Sequence, residues 1–142
     1  MTVIGFDFGE KRIGVAVGET ATGIANPLGA IAESANDARF RAIEKLVDEW
    51  KPGTLVVGRP KHADASQHAV AKLAEKFGRR LAARHRLPVV FVDETLTSAD
   101  AEASLRAHRT RAPREGDVDA LAAALILQSY LDDPEAHAHL AA

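Results

Sequence analysis

Two short, almost wholly apolar runs, Thr54-Leu55-Val56-Val57-Gly58 and Val89-Val90-Phe91-Val92, constrain the fold of this chain more than any other feature. Apolar residues in unbroken succession bury both faces of a strand, as in a parallel sheet covered by helices on each side. Each run is preceded by a helix-like segment. From Asn36, read as an N-cap, Phe40, Ile43, Val47 and Trp50 recur at i, i+3, i+7 and i+10. They define one helical face, which Pro52-Gly53 ends. Val70, Leu73, Phe77 and Leu81 define a second buried face, in a helix stopped at Pro88.

The opening has another pattern. Val3 to Phe8 reads as a buried strand and Ile13 to Val17 as its hairpin partner across Gly9-Glu10-Lys11-Arg12. A third extended stretch, 23–31, contains Asn26-Pro27, which suits an edge or irregular strand. Beyond Asp93-Glu94, Thr97 with Asp100 makes a capping-box signature for a helix to about Arg106. The stretch from His108 to Gly116 reads as a loop, and Asp117 opens a strongly apolar helix to Leu131. The expected fold is α/β, with a mixed sheet of about five strands: an antiparallel β-meander, then parallel strands, and helices on both faces. Residues 1–133 are expected to form one domain, and 134–142 a disordered tail.

The chain has 142 residues, enough for one domain with a sizeable core. No apolar run approaches the roughly 20 residues that span a bilayer. Met1 to Asp7 lacks the basic start of a signal peptide, and cysteine is absent. The expected location is therefore the cytoplasm, without disulfides or a thiolate site. A net charge of −2 is not the usual footprint of a nucleic-acid-binding domain. Distribution matters more than the sum, because Lys and Arg gather at 11–12, 59–61, 72–86 and 106–114.

Three carboxylates carry the chemistry. Asp7 interrupts an apolar strand, Glu94 follows the end of another, and Asp119 lies in the first turn of the last helix. Ligands of open α/β sheets bind near such strand ends. Converging acids repel one another unless a divalent cation joins them, and oxygen ligands suit Mg²⁺ or Mn²⁺. Two such ions can activate water for phosphodiester hydrolysis. Read singly, Glu94 could be a solvated residue before a helix, and Asp119 a dipole-favoured residue behind an Asp117 cap. A mid-strand Asp7 between two Phe residues is harder to explain by structure alone. Lys11, Arg12, Arg59, Lys61, Arg109, Arg111 and Arg114 are candidate phosphate contacts, by their loops beside these acids. Lys72, Lys76, Arg79, Arg80 and Arg84 fall largely on the solvated face of their helix. The glycine-spaced hairpin also resembles that of the actin, hexokinase and heat-shock chaperone ATPases, which close two such domains around a nucleotide.

Gly5-Phe6-Asp7-Phe8-Gly9-Glu10-Lys11-Arg12-Ile13-Gly14-Val15-Ala16 resembles the opening motif of the YqgF/RuvX family of bacterial ribonuclease H-like proteins. Val57-Gly58-Arg59-Pro60 is similar to the family's Val-Gly-Leu-Pro turn, and Asp93 to Ser98 to its Asp-Glu-Arg-Leu-Thr-Thr segment. Val118-Asp119-Ala120 through Leu131 resembles its closing helix. The resemblance implies a ribonuclease H-like fold, and metal-dependent nuclease activity on structured RNA in maturation of 16S ribosomal RNA, or on DNA Holliday junctions. A binding module that keeps the fold without catalysis is the reading of another class. The resemblance also implies that Asp7, Glu94 and Asp119 are the metal-binding acids. Thr95 departs from the family's usual Arg, and Lys61 to Ser66 departs from its usual turn, where Lys61 offers a replacement charge.

The apolar faces in the sequence are consumed by packing on one sheet, apart from Ala99, Ala103 and Ala107 at i, i+4 and i+8. A stable dimer would need a spare apolar patch. The chain is predicted to be mainly monomeric at micromolar concentration. Sedimentation in the presence of Mg²⁺ should return one chain mass, and a tight two-fold dimer would contradict it.

Overall fold

The computed structural model describes residues 1–60, 65–94 and 116–140. Strands β1 (Thr2–Asp7), β2 (Ile13–Glu19) and β3 (Ile24–Ile31) form the opening meander. Helix α1 (Asn36–Trp50), β4 (Thr54–Pro60), α2 (Ala65–His85) and β5 (Val89–Glu94) follow. Helix α3 (Asp117–Asp132), a 3-10 turn (Pro134–Ala136) and β6 (Ala138–Leu140) close the described chain. The sheet order is β3-β2-β1-β4-β5-β6. The meander is antiparallel, β1, β4 and β5 are parallel, and β6 runs antiparallel to β5. The expected mixed α/β sheet is present. It has six strands rather than about five, because the tail contributes β6.

Strand alternation divides the core in two. Ile4, Phe6, Ile13, Val15, Leu55 and Val57 face α1 and α2, packing with Phe40, Ile43, Phe77 and Leu81. Val3, Ala16, Val56, Val90 and Val92 pack on the other face against Ala123, Ile126, Leu127 and Tyr130 of α3. The parallel strands are thus covered on both sides, which is why their sequences read as continuous apolar runs. Among the described residues β3 pairs only with β2; it shows a register shift opposite Val15/Ala16 and carries Pro27 in an exposed position. Gln128 of α3 holds its start, accepting from the Ala25 amide at 2.9 Å and donating to the Gly23 carbonyl at 2.7 Å.

Several expectations are corrected. Asn36 is the first residue of α1; Ala35 occupies the N-cap and no side chain caps the helix. Trp50 and Leu73 are 37% and 39% exposed, whereas Ala71, Ala74 and Ala82 are buried. The large residues at those turns signalled a face slightly rotated from the one the sheet covers, since alanines fit where helix and sheet approach closely. Helix α2 ends at His85 with Arg86 at φ 54°, before Pro88 is reached. The tail does not fray within 134–140: His137 lies 3.1 Å from the Ser129 carbonyl oxygen and its ring sits 6.5 Å from that of Tyr130. The capping-box helix at 97–106, with Ala99 and Ala103, and Ala107 beyond it, lies outside the described residues.

Phe77 is the aromatic hub of the α1/α2 face. Its ring centroid lies 5.8 Å from Phe6, 5.1 Å from Phe8 and 6.1 Å from Phe40. Such ring pairs add stabilisation beyond their buried area. Phe77→Ala is expected to lower stability by about 3–5 kcal/mol. Leu73→Ala, one turn away on the same helix, should lower it by less than about 1 kcal/mol. Urea denaturation of the two variants measures the difference, and equal losses would contradict the corrected face.

Candidate active site at the carboxyl end of the sheet

Asp7 is the last residue of β1, and its register neighbours on both sides are glycines, Gly14 of β2 and Gly58 of β4. The alternation that sends Val3 and Gly5 toward α3 sends Asp7 the same way. The flanking glycines matter through what occupies their missing side chains. A methyl group at position 58 would collide with Ile126, and one at position 14 would overlap the Asp119 carbonyl. The first turn of α3 therefore rests directly on the β2 backbone beside Asp7. Helix α3 begins at Asp117 after Gly116, whose φ of 87° is readily available to glycine. Asp117, expected as the cap, is the first helical residue instead.

This seating brings Asp119 to Asp7. The Asp7 carboxylate is half-buried and has no hydrogen-bond donor among the described residues. Its pKa is raised from 3.8 to about 6, chiefly by burial and next by the charge of Asp119. Asp119 is engaged from outside by Arg12, with Nε 2.9 Å from Oδ2. Glu94 ends β5 opposite Pro60, at the same end of the sheet, two strands from Asp7. Its side chain is outside the described residues. Among the described residues, no three acids or histidines gather at metal-ligand spacing. Asp7 and Asp119 form the described part of the predicted triad. A half-buried acceptor without a donor, destabilised by a second carboxylate, has the chemistry of a cation ligand.

The basic residues separate by environment. Lys11 is exposed in the loop directly after Asp7 and has no partner among the described residues. Arg12 is exposed and paired with Asp119. Arg59 is committed elsewhere: it donates to both oxygens of Asp93 at 2.6 and 3.1 Å and to Glu75 at 3.1 Å. Those carboxylates raise its pKa, and its guanidinium lies 5.1 Å from the Phe91 centroid. Arg59 thus ties β4 to β5 and α2, and a phosphate contact by Arg59, as the sequence suggests, would compete with these two carboxylates. Lys61, Arg109, Arg111 and Arg114 lie outside the described residues, as does Thr95.

Arg39 was not singled out by its sequence. It is 4% exposed and donates to the backbone carbonyls of Glu33, Gly9 and Glu10, with the Gly9 contact at 2.8 Å. It pins the loop after Asp7 to the segment before α1. Only its place one residue before the buried Phe40 hints at this role.

A carboxylate whose folded pKa exceeds its unfolded value favours the folded state fully below the unfolded value, near pH 3.8, and loses that contribution as pH rises through about 6. At roughly 1.4 kcal/mol per pKa unit, ionised Asp7 costs the metal-free fold about 3 kcal/mol above that window. Asp7→Asn should therefore be more stable than the wild type in chelator near pH 8, by up to about 3 kcal/mol, with the advantage gone near pH 4. Thermal melts of both proteins across that range test this. A pH-independent difference would show that Asp7 titrates normally.

Comparison with known proteins bears on the family and the fold. The RuvX family model, described as Holliday junction resolvase, matches residues 1–133. A protein of Dechloromonas aromatica named "Putative pre-16S rRNA nuclease" is 55% identical over 134 residues, covering 94% of this chain and 92% of that protein. Proteins of the same name from Methylobacillus flagellatus and Neisseria gonorrhoeae are 51% and 46% identical. Each of these covers 92% of this chain; the shares of the relatives are 90% and 87%. Among solved structures, RuvC of T. thermophilus in complex with a Holliday junction substrate superposes with a TM-score of 0.63 at 16% identity, covering 99% of both chains. Another Thermus thermophilus RuvC structure gives 0.58 at 18% identity, covering 99% of this chain and all of that one. At such identity these neighbours speak to the fold, which is that of RuvC and hence ribonuclease H-like. The chain belongs to the RuvX family, a nuclease family, and Asp7, Gly14 and Asp119 all lie within the matched span.

Proposed function

We propose that this chain is a metal-dependent endonuclease that hydrolyses nucleic-acid phosphodiesters, with the precursor of 16S ribosomal RNA as substrate and the cytoplasm as its location. The observation that carries the reading is the Asp7 carboxylate, half-buried beside Asp119, without a donor among the described residues and with its pKa raised to about 6. Several relatives at 46–55% identity carry the name of a pre-16S rRNA nuclease, which supports RNA as the substrate.

Asp7, Asp119 and Glu94 would hold Mg²⁺ or Mn²⁺, as a pair of ions in the two-metal form of the chemistry. Bound ions supply Lewis acidity at the scissile phosphate and lower the pKa of water. The protein's own contribution is positional. Gly14 and Gly58 let α3 carry Asp119 down to Asp7, and Arg39 fixes the loop that leaves Asp7. A cation held there would favour the ionised form of Asp7 and offset its repulsion with Asp119. Lys11 and Arg12 would bind the substrate phosphates from that loop, and Lys61, Arg109, Arg111 and Arg114 from the neighbouring ones. Arg12, paired with Asp119 at 2.9 Å, would be freer to meet phosphate if an ion supplied the positive charge beside Asp119.

A second reading, resolution of DNA Holliday junctions, is favoured by the description of the family model and by the RuvC neighbour's junction complex. Coordinated nicks on opposing strands call for a two-fold dimer. The proposed state is a monomer that cuts RNA without pairing its nicks.

A cleavage assay with precursor 16S RNA, duplex DNA and a four-way junction distinguishes these readings. The wild type should cut the RNA with Mg²⁺ or Mn²⁺ and lose activity in excess chelator. Asp7→Asn, Glu94→Gln and Asp119→Asn should each reduce cleavage by about 10²–10³-fold with circular dichroism unchanged. Full activity in all three variants, or in chelator, would reject metal-dependent hydrolysis. Binding without any cleavage would point to a catalytically silent module, and paired nicks in the junction to a resolvase.

A further inference from the structure

On the opposite face of the sheet from Asp119, a cleft of about 130 Å³ opens between α1 and α2. Its walls include the aromatic residues Phe8, Phe40 and Phe77 and the cations Arg39, Lys76 and Arg80. The setting separates these cations from an ordinary solvated helix face, since they share a cleft with three aromatic rings. Arg39 is buried with carbonyl oxygens as its hydrogen-bond partners among the described residues, the Glu10 carboxylate acts on it through charge without a salt bridge, and the guanidinium carbon lies 5.7 Å from the Phe8 centroid. Lys76 and Arg80 are exposed and have no partner among the described residues. No acidic side chain lines the cleft. An apolar floor with a cationic rim, and no acid in the lining among the described residues, complements a group that is flat and apolar on one side and anionic on the other.

A nucleotide has that shape and charge: bases stack on aromatic and apolar surfaces while cations follow the backbone. The location fits as well. Phe8 follows Asp7 directly, so the cleft and the carboxylates lie at one end of β1, on either side of the sheet. Leu73, exposed beside the cleft, extends its apolar wall without a cover.

We propose that this cleft seats an unpaired nucleotide of the substrate strand, outside the scissile position, with its base against Phe8 and Leu73 and its phosphate on Lys76 and Arg80. The strand would pass from Asp7 over the β1–β2 loop into the cleft. Such a seat rests on the nuclease reading and deepens it, since it gives the strand a place where it is held unpaired. The α2 cations are then not all alike, because Lys72 and Arg79 do not line the cleft.

The test compares two charge-matched variants of the full chain, Lys76→Gln/Arg80→Gln and Lys72→Gln/Arg79→Gln, all four positions being exposed. The probe is a short fluorescein-labelled single-stranded oligoribonucleotide, titrated in excess EDTA so that binding is read without cleavage. The cleft variant should bind about tenfold more weakly, and its salt slope should fall by about 0.7 for each phosphate no longer neutralised. The control pair should change much less. The wild type should also bind an abasic oligomer of the same length more weakly than the base-bearing one. Equal losses in both pairs, no loss in the cleft variant, equal affinity for the abasic oligomer, or no binding by the wild type would each overturn the proposal. Because cleavage plays no part, failure of metal-dependent hydrolysis would leave a positive binding result standing, and the reverse.

Discussion

The site depends on a contact in which one partner has no side chain. The backbone of Asp119 lies against Gly14 so closely that a single methyl group there would occupy the space of its carbonyl oxygen. Gly5, Gly18 and Gly58 continue the same surface beneath Leu127, Leu131 and Ile126. Glycine is unfavourable within strands, both for its entropy and for the packing it forgoes. Here it lets an apolar helix lie close to the sheet. The first turn of that helix can then present an acid next to the last residue of β1.

The electrostatics follow from that proximity. Burial and a neighbouring carboxylate both oppose ionisation of Asp7, and no donor among the described residues relieves it. Such a group is held at a cost to the metal-free fold, and a cation is the partner that would reverse it. The positive charges are divided by the fold into two kinds. Arg39 and Arg59 work inside it, one on backbone carbonyls and the other on Asp93 and Glu75. Lys11, Lys76 and Arg80 remain outward and unpartnered among the described residues. A net charge of −2 is thus compatible with a nucleic-acid partner, because the acids neutralise selected arginines and leave others exposed.

Family membership and geometry constrain different things. The RuvX match and the RuvC-like architecture establish the family and the fold. In the proposed reading, the choice between RNA and branched DNA would fall to surfaces beyond the carboxylates, such as the β1–β2 loop and the α1/α2 cleft. Fold alone does not select a substrate, since sites with different partners are built on one scaffold.

The sequence by itself determined the order and type of the described elements from β1 to α3, because strand and helix periodicities are local and strong where both faces of a sheet are covered. It located β1, β4 and β5, the irregular strand at Pro27, Asp7 and Glu94 at strand ends, and Asp119 in the first turn of α3. It did not determine which helical residues met the sheet, so Trp50 and Leu73 were misjudged while small alanines did the packing. Nor could it tell Arg59, neutralised by carboxylates distant in sequence, from an arginine free to meet phosphate. The order of residues 134–140 depends on an unpaired β5 edge and the Tyr130 ring, which local composition does not reveal. Gly14 carried a legible signal, an isolated glycine inside a strand, yet its partner lies more than a hundred residues away. Tertiary structure alone decided that Asp119 stands beside Asp7, because that pairing is made by the close packing of a helix on a sheet, and close packing is set by space rather than by sequence period.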